Sequence, residues 1–393
     1  MDENLLVLSI PSYGITRQYL LSFLNVLDKE KIGIKIDGNK IKVKSAKASL
    51  PKVFAEAFYI AEARLRDYVE RKTGTEEVDE DSEQKKSVRK PRMDIPATGN
   101  EKDILVKVKK DLKVPSDTSF VEVFHHFGDY LVKLENNDLQ ALAKKEKIHS
   151  PLSIFKPELY GYTRGPYFDG KLKSEVISGE EAKLSTWEFL IRLAGYVISR
   201  VGIVMIPSGN KPQYLTVLAL PTDTRYTRGE FELMLDSMKE FPGFRPEEGM
   251  IMWMAMNLPK KVDEILVVGM KNPGGMSPAE VRIGFNVPLA SYRAKANKFL
   301  DNIEKYDHKR SLQWMIRTAM WEKEADTERE LLKLLFLASQ GDGRSREELM
   351  LRSSRLLLST SSSSQSASDA KGRDFKRLVD YCRNLAYTVP LLP

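Results

Sequence analysis

Apolar residues recur every three to four positions through long stretches of this chain, and shorter alternating runs separate them. In ITRQYLLSFLNVLDKE, Ile15, Tyr19, Leu20, Phe23, Leu24 and Leu27 fall on one helical face. LPKVFAEAFYIAEARLRDYVERK (50–72) predicts an amphipathic helix, and residues 102–147 are helical in pattern. STWEFLIRLAGYVISR (185–200) predicts another helix, with Ser185 and Glu188 at capping-box spacing. NLLVLSI reads as a short buried strand that ends at Pro11. Ile34/Ile36 and Ile41/Val43 alternate with Lys35, Lys40, Lys42 and Lys44 about Asp37-Gly38, which predicts a hairpin. Its lysine row either guards a sheet edge or meets phosphate.

In the middle of the chain VGIVMI and YLTVLAL read as strands joined by PSGNKPQ (207–213). VDEILVVGM and EVRIGFNV form a second pair joined by KNPGGMSPA (271–279), and TRGEFELMLDSMKEF between the pairs predicts a helix. Beyond Pro288 the pattern is helical nearly throughout, and the Ser-rich stretch 359–372 predicts a flexible loop. The fold class is therefore α+β: an N-terminal and central region (1–288) with an antiparallel sheet and hairpins, then a C-terminal helical bundle (289–393). An acidic and then basic segment, about 73–100, has almost nothing to bury and reads as a mobile charged loop.

Charge sharpens this picture. The chain has 393 residues, 62 Lys and Arg against 55 Asp and Glu. From Tyr292 onward there are 19 basic and 14 acidic residues, so the C-terminal region carries most of the surplus. That asymmetry suggests a polyanionic partner, the bland reading being a solvated helical surface. With one cysteine, Cys382, neither an intramolecular disulfide nor a Cys-based zinc site is available, and Cys382 reads as a small core residue. The first residues lack a secretory pattern and no run is long enough to span a membrane, so a cytoplasmic protein is expected.

Support for catalysis is slight. No P-loop, GxSxG or HExxH occurs. His125, His126 and Asp129 are the best candidates for a metal-dependent nuclease, but neighbours on a helix diverge by about 100° and seldom share an ion. His149 and His308 stand alone in sequence. No cofactor and no metal is expected.

The loops offer binding chemistry instead. LYGYTRGPYFDGKLK carries Tyr160, Tyr162, Arg164, Tyr167, Lys171 and Lys173; PSGNKPQ carries Asn210, Lys211 and Gln213; MKNPGG carries Lys271 and Asn272. Amides pair with base edges, cations reach guanine or phosphate, and exposed rings stack on splayed bases. In the bundle, Lys309, Arg310, Arg317, Arg344, Arg346, Arg352 and Arg355 could track phosphates. Trp314 and Trp321, seven apart, are expected on the core face, with the arginines lining the other.

LYGYTRGP, then STWEFLIRLAGYVISR leading into a strand pair, then a terminal helical bundle resembles the large subunit of archaeal type I-A CRISPR interference complexes (Cascade). The resemblance covers most of the chain and rests on element order rather than a sharp motif. It implies a non-catalytic subunit of an RNA-guided complex, near the 5′ handle of the CRISPR RNA and beside other Cascade subunits. Such a subunit reads the short motif flanking target DNA, helps open the duplex, guides the displaced strand and helps recruit helicase and nuclease subunits. Two rivals stand beside it: the nuclease, and a protein–protein scaffold without nucleic-acid contact.

Overall fold

A computed structural model describes residues 5–9, 15–38, 40–45, 48–73, 94–155, 158–159, 183–206, 213–322, 325–361 and 370–393. Most of the charged segment expected to be a mobile loop, 74–93, lies outside these residues. The chain forms two compact units: Met1–Leu235 with Leu266–Phe285, and Asp236–Ile265 with Asn286–Pro393.

The first unit contains the hairpin predicted around Asp37-Gly38. β1 (Leu5–Ser9), β2 (Ile32–Asp37) and β3 (Lys40–Ser45) form an antiparallel sheet in the order β1-β3-β2. Val43 faces Leu6 and Ile34, and Ile41 faces Leu8 and Ile36, so apolar residues share one side. Lys35 pairs with Lys42 on the other. Because β3 is the central strand, its lysines lie on the open face of the sheet, not along an edge.

Helices α1 (Ile15–Asn25), α2 (Leu50–Thr73), α3 (Gly99–Asp111), α4 (Phe120–Val132), α5 (Asn136–Ala143) and α6 (Thr186–Ser199) enclose an aromatic core. The Phe58 ring centre lies 4.9–6.4 Å from those of Phe23, Phe124, Phe127 and Trp187. The start of α6 is fixed by the expected capping box: the Glu188 amide donates to Ser185 Oγ (3.2 Å) and the Ser185 amide to Glu188 Oε2 (3.3 Å). α1 and α6 approach so closely that a Cβ at Gly195 would lie 1.9 Å from the Tyr19 carbonyl oxygen.

The second sheet runs β4-β8-β7-β6-β5, with β4 (Glu158–Leu159), β5 (Arg200–Ile206), β6 (Gln213–Pro221), β7 (Ile265–Lys271) and β8 (Glu280–Val287). β5 and β6 are an antiparallel pair, while the two-residue β4 joins β8 in parallel. α7 (Arg228–Ser237) then carries the chain into the second unit.

That unit is helical: α8 (Glu247–Asn257), α9 (Leu289–Lys295), α10 (Asn297–Lys305), α11 (Lys309–Trp321), α12 (Asp326–Ser339), α13 (Gly343–Ser361) and α14 (Ala370–Thr388). Helical backbone takes in residues 359–361 and 370–372, at either end of the Ser-rich stretch, and 362–369 lie outside the described residues. α8 packs against α9, α11 and α12. Arg293 on α9 ties off its far end, donating to the carbonyls of Ala255 (3.2 Å), Leu258 (2.7 Å), Pro259 (3.1 Å), Lys260 (3.1 Å) and Val262 (2.8 Å). Cys382 is buried, as expected, and burial pushes its thiol up to about 11.

The tryptophan expectation is corrected. Trp314 is 38% and Trp321 66% exposed, and the core face of α11 is Leu312, Met315, Ile316 and Ala319. Those four already form a complete i, i+3, i+4, i+7 stripe, which leaves the tryptophans off it. Trp314 rests on Tyr381, and the Arg317 guanidinium lies over Trp321, so arginine and tryptophans share a face. Among the described residues no helix is long and apolar enough to cross a membrane.

Candidate nucleic-acid interface

Tyr160, Tyr162, Arg164, Tyr167, Lys171, Lys173, Asn210 and Lys211 lie outside the described residues. The remaining loop candidates meet at one end of the five-stranded sheet. Thr216 Oγ1 on β6 donates to Asn272 Oδ1 just past β7 (3.0 Å), and Gln213 begins β6 about 10 Å further along. Lys271 closes β7. The turn beyond is anchored, not loose: the Gly99 amide at the start of α3 donates to the Gly275 carbonyl (2.9 Å), and the Ala279 amide to Ser153 Oγ (3.1 Å).

The bundle cations divide into two sets. Arg317 faces Glu240 at 3.5 Å, Arg352 is held by Glu348 (2.6 Å) and Glu330 (2.8 Å), and Arg346 donates to the Pro393 carbonyl (2.9 Å). The Glu348 carboxylate, with Glu330 beside it, raises the Arg352 pKa. Lys309, Arg310, Arg344 and Arg355 are exposed and make no ion pair among the described residues. Arg344 and Arg355, eleven apart, fall on one face of α13.

The two histidines of α4 diverge, as their adjacency requires. His125 Nδ1 lies 3.0 Å from Glu62 Oε2, and its Nε2 3.7 Å from Asp129 Oδ2. Tyr59 donates to Asp129 (2.7 Å); burial first, and that carboxylate second, push the phenol up to about 12. Among the described residues no group of three or more His, Cys, Asp or Glu is placed to hold a metal ion.

His126 faces instead a cleft of about 570 Å³, walled by the end of α3, one stripe of α4, the segment after α5 and the first residue of α6. Its built polar group is one that sequence spacing could not reveal. His149, 2% exposed in its side chain, sets Nε2 2.8 Å from Asp111 Oδ2 and 3.1 Å from Thr186 Oγ1. Thr186 Oγ1 also donates to Asp111 Oδ2, at 3.3 Å. Burial lowers the His149 pKa and Asp111 opposes it. Backbone bridging between His149 and Leu184 brings residues 149 and 186 together, and Asp111 at the end of α3 meets both.

Residues 59–357, about three quarters of the chain, match the family described as CRISPR-associated protein, CsaX. The chain belongs to that family. No curated protein and no solved structure matches it. The CsaX match runs from α2 to α13 and so takes in the cleft, the sheet end and the unpaired cations. A CsaX-family chain has its role in a CRISPR system and works with other CRISPR components.

Proposed function

We propose that this chain is the large subunit of an RNA-guided surveillance complex of the archaeal type I-A kind. In this reading it binds target DNA, reads the short flanking motif and steadies the opened duplex, without cutting it. Its neighbours are the CRISPR RNA 5′ handle, other Cascade subunits, and the helicase and nuclease they recruit. The CsaX-family match is the observation that carries this reading. The unpaired cations Lys309, Arg310, Arg344 and Arg355 supply phosphate contacts, and Gln213, Lys271 and Asn272 supply amides and an ammonium for base edges.

The test is fluorescence anisotropy of the full chain on a partly opened duplex at two salt concentrations. Replacing the four unpaired cations with alanine is expected to weaken binding and to flatten the salt slope by about 0.9 for each phosphate no longer neutralised. Replacing the ion-paired Arg317 and Arg352 should do less. Unchanged affinity and slope in the fourfold variant would remove the bundle from the binding surface. Manganese-dependent scission abolished by His126→Ala would replace binding by catalysis.

A further inference from the structure

We infer that the cleft at the end of α3 holds one unpaired nucleotide whose base carries an exocyclic amine. This rests on the nucleic-acid reading above and gives it a second site, remote in sequence from the bundle cations. The cleft has the volume of a small-ligand site, roughly 300–1,000 Å³, and a mostly apolar floor of Val123, Phe127 and Leu142. Tyr130 stands at its wall, 44% exposed and backed by Phe127 with rings inclined by 28°. A ring braced in this way is a stacking platform for a base.

The polar groups choose the base. His149 and Thr186 both engage Asp111 Oδ2, which fixes the carboxylate and leaves Oδ1 without a hydrogen bond among the described residues. Glu146 adds a second carboxylate and makes no ion pair among the described residues. Carboxylates only accept, so they pair with the amino group of cytosine, adenine or guanine, whereas uracil and thymine offer one ring N–H set between two keto oxygens that oppose a carboxylate. An apolar side chain in the cleft would leave both acceptors unmet.

Lys113 and Lys145 line the same cleft, and neither makes an ion pair among the described residues. They suit the phosphates flanking the base. Lys113 has φ of 58°, a left-handed conformation that is uncommon for a residue with a side chain.

The experiment uses full-length protein and labelled octamers of cytidine, uridine and deoxycytidine at low salt. Cytidine octamers should bind more tightly than uridine octamers. Tyr130→Ala should lose at least about fivefold on cytidine, the lower end of one stacked base. Asp111→Asn should erase the preference for cytidine. Because that change could disturb the His149 contact, Glu146→Gln, on an exposed side chain, is read alongside it and should shrink the preference without altering the melting temperature. Equal ribose and deoxyribose binding assigns recognition to the base alone; a ribose preference points to a guide RNA. If octamers bind but show no base preference and no loss in Tyr130→Ala, the cleft is not the site and the surface reading stands. If the wild type binds no octamer, the cleft reading falls, and binding to the partly opened duplex decides the nucleic-acid reading separately.

Discussion

Three helices end in one hydrogen-bond pattern with three different residues at its left-handed position. At the end of α3, the Lys113 amide donates to the Lys110 carbonyl (2.9 Å) and the Val114 amide to that of Lys109 (3.0 Å). Asp307 and His308 repeat this after α10, and Gly341 and Asp342 after α12. Glycine is the usual occupant because a Cβ is strained there by about 1–2 kcal/mol. Gly341 has φ of 92°, Lys113 58° and Asp307 57°. Lys113→Gly is therefore expected to raise stability by about 0.5–1 kcal/mol, net of the greater freedom of glycine in the unfolded chain, and Gly341→Ala to lower it by about 1 kcal/mol. Urea unfolding at neutral pH measures both, and equal signs would contradict the shared geometry. At the same scale, His149 gives a pH dependence. Its pKa lies below the ordinary 6.5, so the native state binds fewer protons there than the unfolded chain. Its contribution is whole above about 6.5 and declines as pH falls from there toward the lower native pKa. His149→Gln should flatten the stability profile in that window, measured by urea midpoints across a pH series.

At the scale of elements, period is the readable signal and its absence the blind spot. α2 and the β2–β3 hairpin are legible because each buries one face, so apolar spacing of 3.6 or 2 survives in the sequence; α6, buried on nearly all sides, is legible from its length and its Ser185–Glu188 capping box. EEGMIMWMAMN is apolar on nearly all sides, and its pattern predicts no amphipathic helix; it is α8, buried among α9, α11 and α12. On α11 the tryptophans mislead because a spacing of seven marks one shared face without saying which, and the smaller Leu312, Met315, Ile316 and Ala319 fill the core. The cleft is out of reach for another reason: residues 111, 149 and 186 have no sequence relation; the bridge at Leu184 joins 149 to 186, and side-chain contacts join 111 to both. Half-way between these cases is Gly195, whose place in the α6 pattern is plain but whose necessity is not. With the Tyr19 carbonyl so close, any side chain must push α1 from α6. Gly195→Ala should cost about 2–3 kcal/mol, read as a lower denaturation midpoint with secondary structure retained. A neutral result would mean that the two helices are not in such close contact.

For the molecule as a whole, the question is what length of chain carries its own core. A sequence division at Pro288 makes 289–393 the bundle, but the second compact unit also contains Asp236–Ile265. The difference is α8. A Cβ at its Gly249 would lie 2.9 Å from Leu332 and 3.4 Å from Ile316, so these side chains close directly onto its backbone. Met250, Met252, Trp253 and Met254 are all at most 1% exposed. Remove α8, and the apolar faces of α11 and α12 meet water at about 25 cal/mol for each Å² uncovered. With 236–265 absent, Arg293 would also be deprived of its five carbonyl acceptors, at the end of α8 and in the residues just after it. A fragment of residues 289–393 is thus expected to keep helical content while losing a cooperative thermal transition, and adding a peptide of residues 236–265 should restore the transition. Circular dichroism for the helices and calorimetry for the transition separate the two properties. A sharp melt of 289–393 alone would show that the helices after Pro288 need no contribution from α8.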